Sequence, residues 1–447
     1  MMSTQPARGM RDFLPEDVRR REYVVGVIRE IYDRYGFDPL ETPAAENIET
    51  LLGKYGEEGN KLVFKILMRG EHEASGQADL ALRYDLTVPF ARVVAEYQSR
   101  LPKIFKRYQI QPVWRADRPA RGRFREFYQC DIDAIGSTSL LVEVELLAAA
   151  SDALERLGFS NFSIRLNHRR LLGQMLSLSG LPEDSHAAAL VIIDKLDKVG
   201  RENVIAELMG VATSNVNAGK MLEMFLLEDV LTNEDKLRRL GRYLESSLVE
   251  PDALQELATI IELSKQTSAG PRLRLDPSLA RGLSYYTGTI MEISVPDLPG
   301  SLGGGGRYDN LVGMFLGSDV PACGFSLGLE RLLVVMQERG MFPPHVDQAT
   351  IDVVVAAIDG TAQTAALETA TELRKSGNLR VDLYPDVVKK MDKIFKYVDQ
   401  RRARFIAIIG GDEVAAGTVT VRNVATKSKE TMPRAEAASF IQRVLSD

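Results

Sequence analysis

The alternation of hydrophobic and polar positions divides the chain into regions of different character. The stretch VRRREYVVGVIREIYDRYG (18–36) carries apolar side chains at helical spacing and ends at a glycine, which predicts a first helix. The stretches KIFKRYQIQPVWRA (103–116), REFYQCDIDAIG (125–136) and FSIRLNH (162–168) alternate apolar and polar residues, which predicts antiparallel strands. Between them, SLLVEVELLAAASDALERLGF (139–159) predicts an amphipathic helix that packs on one face of the sheet.

From about residue 172 to residue 267 the pattern is almost wholly helical, without a convincing strand. Strand patterning returns in RLRLDPSLARGLSYYTGTIMEISVP (272–296), and PACGFSLGLERLLVVMQERG (321–340) predicts a strand that runs into a helix. Residues 172–267 are therefore predicted to form a helical insertion. The flanking segments, 1–171 and 268–341, are predicted to build one discontinuous domain.

A second boundary is predicted at FPPHVDQAT (342–350), where two prolines and several polar residues interrupt the pattern. Beyond it, strand and helix patterns alternate from IDVVVAAI to FIAIIG, followed by a predicted hairpin, TVTVRNVATKSKETM, and a final helix, RAEAASFIQRVL. This order predicts a compact α/β domain of mostly parallel pairing over residues 350–447.

Length and composition narrow the class of protein. A chain of 447 residues is expected to form two or three domains. It has no signal-peptide pattern and no apolar run near the roughly 20 residues of a membrane span, so a soluble cytoplasmic protein is expected. Two distant cysteines and four scattered histidines argue against a disulfide framework and against a transition-metal site. The net charge of −6 gives no global attraction to nucleic acid, although local basic patches can provide it.

Five arginines crowd the segment WRADRPARGRFREFYQCDID (114–133): Arg115, Arg118, Arg121, Arg123 and Arg125. A turn between two predicted strands brings them together, with only Asp117 and Glu126 nearby to oppose them. Such guanidinium groups repel one another unless an anion compensates them, and guanidinium is well shaped to bind phosphate oxygens. The segment is predicted to bind phosphate, and a solvated basic loop is the alternative.

The run SLGGGGRYDNL (301–311) places four consecutive glycines before an arginine and a tyrosine. It lacks the Lys-Ser/Thr ending of a P-loop and the spacing of a dinucleotide-binding fingerprint. Two interpretations remain. The run is either a loop tip, or a stretch on which a ligand lies directly against the main chain, where any Cβ would collide.

Together with ARGLSYYTG (280–288) and GFSLGLERLL (324–333), these segments resemble the histidyl-tRNA synthetase family of class II aminoacyl-tRNA synthetases along essentially the whole chain. The arginine-rich segment resembles motif 2 of the class, GFSLGLERL resembles motif 3, and GFDPLETP (36–43) resembles motif 1, the dimer element. ARGLSYYTG and SLGGGGRYD resemble the two peptides particular to the histidine enzyme. The stretches RGMRDFLPED, FKYVDQRRARF and GTVTVRN also match the family, the last in its anticodon-binding domain.

The resemblance implies an α+β catalytic core with an antiparallel sheet and flanking helices, a helical insertion domain and a C-terminal α/β anticodon-binding domain. It implies that the protein activates L-histidine with ATP to histidyl-adenylate and transfers the histidyl group to tRNA-His. Mg²⁺ is expected to arrive with the ATP phosphates, without confidently assigned ligands from protein side chains. A homodimer is expected from the motif 1 resemblance.

The resemblance also implies roles for individual residues. Arg115 matches the motif 2 arginine that contacts the α-phosphate and the substrate carboxylate, and Arg281 matches the family's additional arginine on the opposite side. Arg331 matches the motif 3 arginine beside the γ-phosphate. These three are expected to be catalytic. Phe127 is expected to stack on adenine, and Arg123 is expected to assist with the triphosphate.

Besides Arg115 and Arg281, which are also expected to contact histidine, the residues expected to bind it fall into three sets. The amino group is expected to meet Asp85, Thr87 and Gln129. The imidazole is expected to be read by Asp133 and Tyr286, with Tyr285 and Tyr308 lining the pocket. Glycines 303–306, with Gly304 and Gly305 at the centre, are expected to form its wall. Asp85, Asp133 and Ser284 depart from common bacterial residues at these positions, so the acceptor-stem rules of typical bacterial enzymes are not transferred to this chain.

Two alternative functions are considered. One is the non-catalytic, synthetase-like regulatory subunit of ATP phosphoribosyltransferase, which characteristically lacks the C-terminal domain and the arginines of the ATP site. The other is a class II synthetase for proline, threonine or glycine, against which the two histidine peptides argue.

Overall fold

The computed structural model describes residues 4–211, 218–227, 230–245, 252–280, 285–296, 298–347, 351–376, 378–388 and 390–446. The chain divides into two compact units, Met1–Met341 and Phe342–Asp447. In the described part of the chain, no helix is both long enough and apolar enough to span a bilayer.

The strands of the first unit form two sheets. In chain order they are β1 (Asp38–Pro39), β2 (Ala45–Asn47), β3 (Lys65–Leu67), β4 (Ala78–Leu82), β5 (Phe105–Trp114), β6 (Glu126–Ile135), β7 (Ser163–His168), β8 (Leu273–Leu275), β9 (Thr289–Ser294), β10 (Ser301–Arg307) and β11 (Ala322–Gly328). The large sheet has the order β1-β5-β6-β11-β10-β9-β7-β8, and all its pairings are antiparallel except those of the edge strands β1 and β8. The small sheet, in the order β2-β4-β3, was not predicted from the sequence pattern.

The helices of the first unit connect the strands of the two sheets along the chain. They are α1 (Pro15–Arg34), α2 (Ile48–Leu51), α3 (Gly56–Lys61), α4 (Thr87–Tyr97), α5 (Leu141–Arg156), α6 (Arg169–Leu178), α7 (Glu183–Ile193), α8 (Leu196–Val199), α9 (Arg201–Val211), α10 (Ala218–Phe225), α11 (Asn233–Leu244), α12 (Asp252–Ser264), α13 (Asp309–Leu316) and α14 (Leu329–Glu338). Helices α6 to α12 confirm the helical character predicted for 172–267, within the described residues of that range.

Helix α1 shows how local sequence sets its ends. Pro15 stands in the first turn with two acidic residues, and Arg34 stands in the last turn, as the helix dipole favours. Gly36, at φ +72°, follows the helix in a conformation that glycine adopts readily. The buried residues recur at helical spacing and turn one face of α1 to the core: Val24, Ile28, Ile31 and Tyr32.

The two faces of the large sheet have different partners. On one face, Arg307 at the end of β10 forms a buried bidentate ion pair with Glu143 of α5, with N···O distances of 2.6 and 2.8 Å. One end of the other face lies under an apolar cluster from α4, α13 and neighbouring segments, which includes Phe90, Leu311 and Ile135. The rest of that second face is polar and holds the candidate site.

The second unit is a five-stranded α/β sheet covered on both sides. Its strands are β12 (Val353–Ala357), β13 (Val381–Leu383), β14 (Phe405–Ile409), β15 (Thr418–Asn423) and β16 (Lys429–Pro433), in the order β13-β12-β14-β15-β16. Its helices are α15 (Pro344–Asp347), α16 (Gln363–Ser376), α17 (Met391–Gln400), α18 (Gly411–Ala416) and α19 (Ala437–Ser446). Residues of α16 and α19 pack in one core cluster, and residues of α17 pack in another.

The predicted strands and helices of this unit are present, but the prediction of mostly parallel pairing was wrong. Strands β12, β13 and β14 pair in parallel, whereas β14 with β15 and β15 with β16 are antiparallel. The reason is the short connection after β14, which holds only the six-residue helix α18. A parallel return needs a crossover of about a dozen residues or more.

Candidate active site

One face of the large sheet carries a row of buried polar side chains. Arg107 on β5 lies opposite Asp133 on β6. On β11, Gly324 lies opposite Asp133 and Ser326 lies opposite Asp131. Residues directly opposite each other in antiparallel strands point to the same side. Two buried aspartates with a buried arginine are unusual in a core, because burying charge is costly unless it is compensated.

The tetraglycine run is the strand β10, so the interpretation as a loop tip was wrong. Gly304 lies opposite Ser326 and Gly306 lies opposite Gly324, which places both on the polar face. A Cβ on Gly306 would stand 2.5 Å from the Thr289 carbonyl oxygen and 3.0 Å from the Tyr286 ring. A Cβ on Gly304 would meet only a main-chain oxygen at 3.4 Å, an ordinary contact, with open space around it.

The next glycine along the strand has a different role. Gly305 points to the opposite face, where a Cβ would stand 2.1 Å from the carbonyl oxygen of Gly324. Its missing side chain permits the close approach of β11. The register thus gives the pocket side of the strand to Gly304 and Gly306, and the packing side to Gly303 and Gly305.

Asp133 is a carboxylate held from two sides. The Tyr308 hydroxyl donates a hydrogen bond to Oδ1, and Nη2 of Arg107 lies 2.8 Å from Oδ2. Gly324 provides the room, because a Cβ there would stand 1.9 Å from Oδ1. Burial raises the pKa of Asp133, and the Arg107 guanidinium and the Tyr308 hydroxyl oppose that rise.

Asp85 is a second buried carboxylate, placed between β4 and α4. It accepts hydrogen bonds from the hydroxyls of Tyr55 (3.0 Å) and Tyr285 (3.1 Å) and from the Val88 N–H (3.1 Å). Burial raises its pKa, while these hydrogen bonds and the charge of Arg115 lower it. The arrangement prepares an acceptor for a further donor, such as an ammonium group.

Tyrosine rings connect the two carboxylates. The ring centroids of Tyr285 and Tyr308 lie 5.9 Å apart, and those of Tyr285 and Tyr286 lie 5.2 Å apart, in edge-to-face geometry. Tyr285 binds Asp85, and Tyr308 binds Asp133. The predicted ammonium contact and the predicted imidazole contact therefore belong to one continuous cluster.

Arg115 and Phe127 stand at the opposite end of the polar row. Nε of Arg115 donates to the Tyr84 carbonyl at 3.0 Å, and its guanidinium carbon lies 4.3 Å from the Tyr84 ring centroid and 5.1 Å from the Phe127 ring centroid. Between the two ends, the Gln129 amide donates to Ser326 Oγ at 3.0 Å. Burial raises the pKa of Asp131 to about 7, with Arg107 opposing the rise.

Arg331, in the first turn of α14, lies beside the start of β10. Its Nη1 donates to the Ser301 carbonyl at 2.5 Å, and a Cβ on Gly300 would stand 2.8 Å from the same nitrogen. A Cβ on Gly122, in the arginine-rich loop, would stand 3.4 Å from the Arg331 side chain. Motif 3 and the motif 2 loop therefore meet at this residue.

The arginine-rich loop is partly neutralised by its own surroundings. Arg123 pairs with Asp117 through two hydrogen bonds of 2.9 and 3.1 Å, and Arg121 pairs with Glu338. Arg123 keeps 54% of its side-chain surface exposed. The positive charges of Arg121 and Arg123 are therefore balanced by carboxylates of the protein itself, without an external anion.

The structure brings the predicted residues together in two groups. Asp85, Asp133 and the three tyrosines form one group, and Arg115 and Phe127 form the other. The two groups adjoin, because the charge of Arg115 acts on Asp85 and lowers its pKa. Thr87 begins α4 two residues after Asp85, and Gln129 lies on β6 between Phe127 and Asp133. Arg281 and Ser284 lie outside the described residues. In the part of the chain that the structure describes, no cluster of three His, Cys, Asp or Glu residues could hold a metal ion.

Three residues of this site were missed from the sequence: Tyr55, Arg107 and Asp131. Arg107 had a usable signal, because polar residues recur at every second position of β5 from Arg107 through Gln109 to Gln111. Tyr55 had none, since its contact with Asp85 spans 30 residues and a loop-rich segment.

A model of the histidyl-tRNA synthetase family matches residues 9–332, and a model of an anticodon-binding domain matches residues 352–444. The chain belongs to the histidyl-tRNA synthetase family. A relative named histidine–tRNA ligase, from Gloeobacter violaceus, is 40% identical over 97% of each chain. The crystal structure of the histidyl-tRNA synthetase from Nostoc sp. PCC 7120 superposes with a TM-score of 0.78, at 30% identity, over 99% of this chain and 100% of that one.

Family membership confirms the predicted fold class and the predicted histidine–tRNA ligase function. A Bacillus halodurans structure titled as an ATP phosphoribosyltransferase regulatory subunit/histidyl-tRNA synthetase also superposes, with a TM-score of 0.73 over 92% of this chain and 99% of that one. At 21% identity that likeness shows the fold alone. The regulatory alternative is therefore the less supported one.

Proposed function

We propose that this histidyl-tRNA synthetase activates L-histidine with ATP to histidyl-adenylate and pyrophosphate, and then transfers the histidyl group to the 3′ end of tRNA-His. The observation that carries the proposal is the pair of buried carboxylates, Asp85 and Asp133, joined by tyrosines beside the tetraglycine stretch of β10. Histidine's carboxylate is ionised at neutral pH, so the first step needs positioning and charge neutralisation at the α-phosphate instead of a general base.

The carboxylate end of the site would bind the amino acid. Asp85, Thr87 and Gln129 would meet the ammonium group, and Asp133 with Tyr286 would read the imidazole. Tyr285 and Tyr308 would line the pocket, with Gly304 and Gly306 in its wall; Gly305, which was expected there, faces the packing side of the strand. The open space above Gly304 supports this placement, because a flat ring can lie against bare main chain there.

The arginine end would bind ATP. Arg115 would contact the α-phosphate and the substrate carboxylate, Arg331 would stand by the γ-phosphate, and Phe127 would stack on adenine. Arg123 would release Asp117 to assist the triphosphate. Arg281 would face the α-phosphate from the other side, as the resemblance implies. Mg²⁺ would enter with ATP and neutralise phosphate charge, held by the phosphate oxygens.

The second unit would hold the tRNA anticodon stem and loop. Lys393 and Lys396 are exposed on α17, opposite the buried Ile394 and Val398, and Arg404 is exposed before β14. Lys390, Arg401 and Arg402 would add to this basic surface, and Lys389 lies outside the described residues. Such a surface would bind RNA phosphates in a salt-dependent manner.

Assembly and location follow from the family resemblance. The segment 36–43 would form a homodimer interface, and the protein would act in the cytoplasm, where ribosomes consume charged tRNA. Analytical ultracentrifugation of the full chain tests the dimer. A monomer at micromolar concentration would contradict it.

The central test is ATP–pyrophosphate exchange with a panel of amino acids. We expect exchange with histidine, and none above background with proline, threonine or glycine. A regulatory subunit would show no exchange with any amino acid, and a synthetase of another specificity would prefer another member of the panel. Arg281→Ala should lower the exchange rate by about 1000-fold, the range for removing one transition-state donor.

A further inference from the structure

Arg107 is a buried arginine between the two halves of the amino-acid pocket. Its side chain is 0% exposed, and its guanidinium carbon lies 4.4 Å from the Phe90 ring centroid. Nη2 lies 2.8 Å from Oδ2 of Asp133 and donates to the carbonyl oxygen of Leu86 at 3.2 Å. The contact with Asp133 is an ion pair without an aligned hydrogen bond, since Oδ2 of Asp133 has no hydrogen-bond partner within the described residues.

The Leu86 carbonyl belongs to the segment that carries Asp85 and Thr87, the proposed ammonium contacts. Asp133 is the proposed imidazole contact. One guanidinium therefore ties the two recognition elements together, although they come from a loop before α4 and from the middle of β6. A rigid tie of this kind sets the spacing between the acceptor for the ammonium group and the acceptor for the ring.

Stability alone does not explain this arrangement. Nε and Nη1 of Arg107 make no hydrogen bond within the described part of the chain, and an unmet buried donor is costly. Replacing a buried ion pair by apolar residues of similar volume is often neutral or stabilising. A charged pair in this position therefore points to a role in recognition.

We propose that Arg107 is a positioning residue for histidine specificity, which keeps Asp133 an ionised acceptor at a fixed distance from the ammonium-binding segment. The inference rests on the proposed function, because it assumes that Asp133 reads the imidazole. Arg107 itself does not touch the substrate.

The charged and titratable groups around Asp133 determine what removal of Arg107 would do. The groups that interact electrostatically with Asp133 come from the strands and helices packed around it. They are Arg107 on β5, Asp131 on β6, Cys323 on β11, Tyr286 before β9, Tyr308 after β10, Asp85 before α4 and Tyr32 on α1. Arg107 is the cation among them. Without it, burial and the neighbouring aspartates would raise the pKa of Asp133 further, so that a larger fraction of this carboxyl would be protonated at a given pH.

The test is histidine-dependent ATP–pyrophosphate exchange by the full chain from pH 6 to pH 9. We expect Arg107→Met to raise KM for histidine about 100-fold at pH 7, within the range for truncating one partner of a buried charge pair, with KM for ATP nearly unchanged. The loss should shrink as the pH rises, because Asp133 then loses its proton and can accept again. Each value is divided by that of the native enzyme at the same pH, so titration of histidine itself cancels.

Two further variants separate positioning from general damage. Arg107→Lys keeps the charge, but its ammonium group ends one bond short of the Nη2 position that makes both contacts, so KM for histidine should rise about tenfold with a native pH profile. Arg83→Met is the matched control, because Arg83 is also buried but binds the carbonyl oxygens of Thr42 and Pro112. It should lower thermal stability without a pH-dependent change in KM for histidine.

A native KM in Arg107→Lys would overturn the spanning role, and this variant decides the question if Arg107→Met does not fold. A pH-independent loss in Arg107→Met, with KM for ATP raised equally, would also overturn the inference. Asp133→Asn distinguishes it from the proposed function. If that variant activates histidine normally, the imidazole role of Asp133 is wrong; if it is inactive while Arg107→Met is native, only the inference about Arg107 is wrong.

Discussion

The two ends of the site are built differently. At the carboxylate end, Asp85 and Asp133 are almost completely buried and already accept hydrogen bonds from Tyr55, Tyr285 and Tyr308. At the arginine end, the cations are partly exposed, and those of Arg115 and Arg331 are held by main-chain carbonyls. In the proposed function, the first end is organised before its ligand arrives, whereas the second would contact phosphate through its guanidinium groups.

In the proposed function, this difference assigns substrate specificity to the carboxylate end and charge neutralisation during catalysis to the arginine end. A rigid buried acceptor that is left unpaired by the wrong ligand gives strong discrimination. Arginines at a partly open surface give charge neutralisation as phosphate charge moves. Substitutions at the two ends should therefore differ in which substrate they affect as well as in size.

The largest effect is expected at the buried end. Asp133→Asn should lower kcat/KM for histidine by about 10⁴-fold, because the amide leaves the imidazole N–H and the Arg107 charge without an anionic partner. KM for ATP should stay within a small factor of the native value. Exchange kinetics with each substrate varied in turn measure both, and an equal loss for the two substrates would break the proposed division of the site.

At the arginine end, Arg115→Ala should lower the rate of adenylate formation by about 1000-fold, since it removes a donor to the developing charge. Single-turnover adenylate synthesis at saturating histidine and ATP gives this rate directly. Arg34→Ala, which removes an exposed arginine paired with Glu30 on α1, is the control and should behave as native. If Arg115→Ala changes only KM for histidine, Arg115 belongs to the carboxylate end.

A smaller effect is expected where the two ends meet the glycine strand. Gly304→Ala adds a methyl group to the open face, so it should fold normally and raise KM for histidine about tenfold, as for one extra carbon in a pocket. Gly26→Ala on α1, where a Cβ would meet nothing within 4 Å, is the matched control. Unchanged kinetics in Gly304→Ala would show that the ring does not lie on this main chain.

The smallest effect is expected in the exposed loop. Arg123→Ala should raise KM for ATP only about threefold, because an exposed guanidinium paired with Asp117 contributes little net binding. Raising the salt concentration should reduce even this difference. A loss above 100-fold would mean that the loop encloses the nucleotide and is not an open end.

Periodic patterns predicted most of the elements but not every contact between them. The alternation in β5 and β6 and the helical spacing in α1 are local signals, and the structure confirms them. The glycine run was ambiguous, because glycine disfavours strands and the reason for its presence is the approach of β11 and Tyr286, which no local pattern contains. The small sheet was missed because its strands have only three to five residues.

The same limit applies to the predicted site: local sequence identified residues within motifs, but not contacts between distant segments. Residues in recognisable motifs, such as Asp85, Arg115 and Arg331, were found from their peptides. Arg107 lies outside the family motifs. Its role in the site becomes visible only from the strand pairing, which places it opposite Asp133. Asp131 was passed over beside Asp133, although both point to the same face. The arginine-rich loop was predicted, but the ion pair between Arg121 and Glu338 was not, because Glu338 is distant in sequence.

The ion pair between Arg307 and Glu143 has a mechanical consequence for the glycine strand. The four glycines have no side chains to hold the middle of β10 in register, and a slip by one position would exchange the residues on its two sides. The bidentate ion pair at its last residue fixes that strand to α5 and opposes such a slip. The alignment of the side-chain-free stretch therefore depends on a buried salt bridge on the opposite face of the sheet.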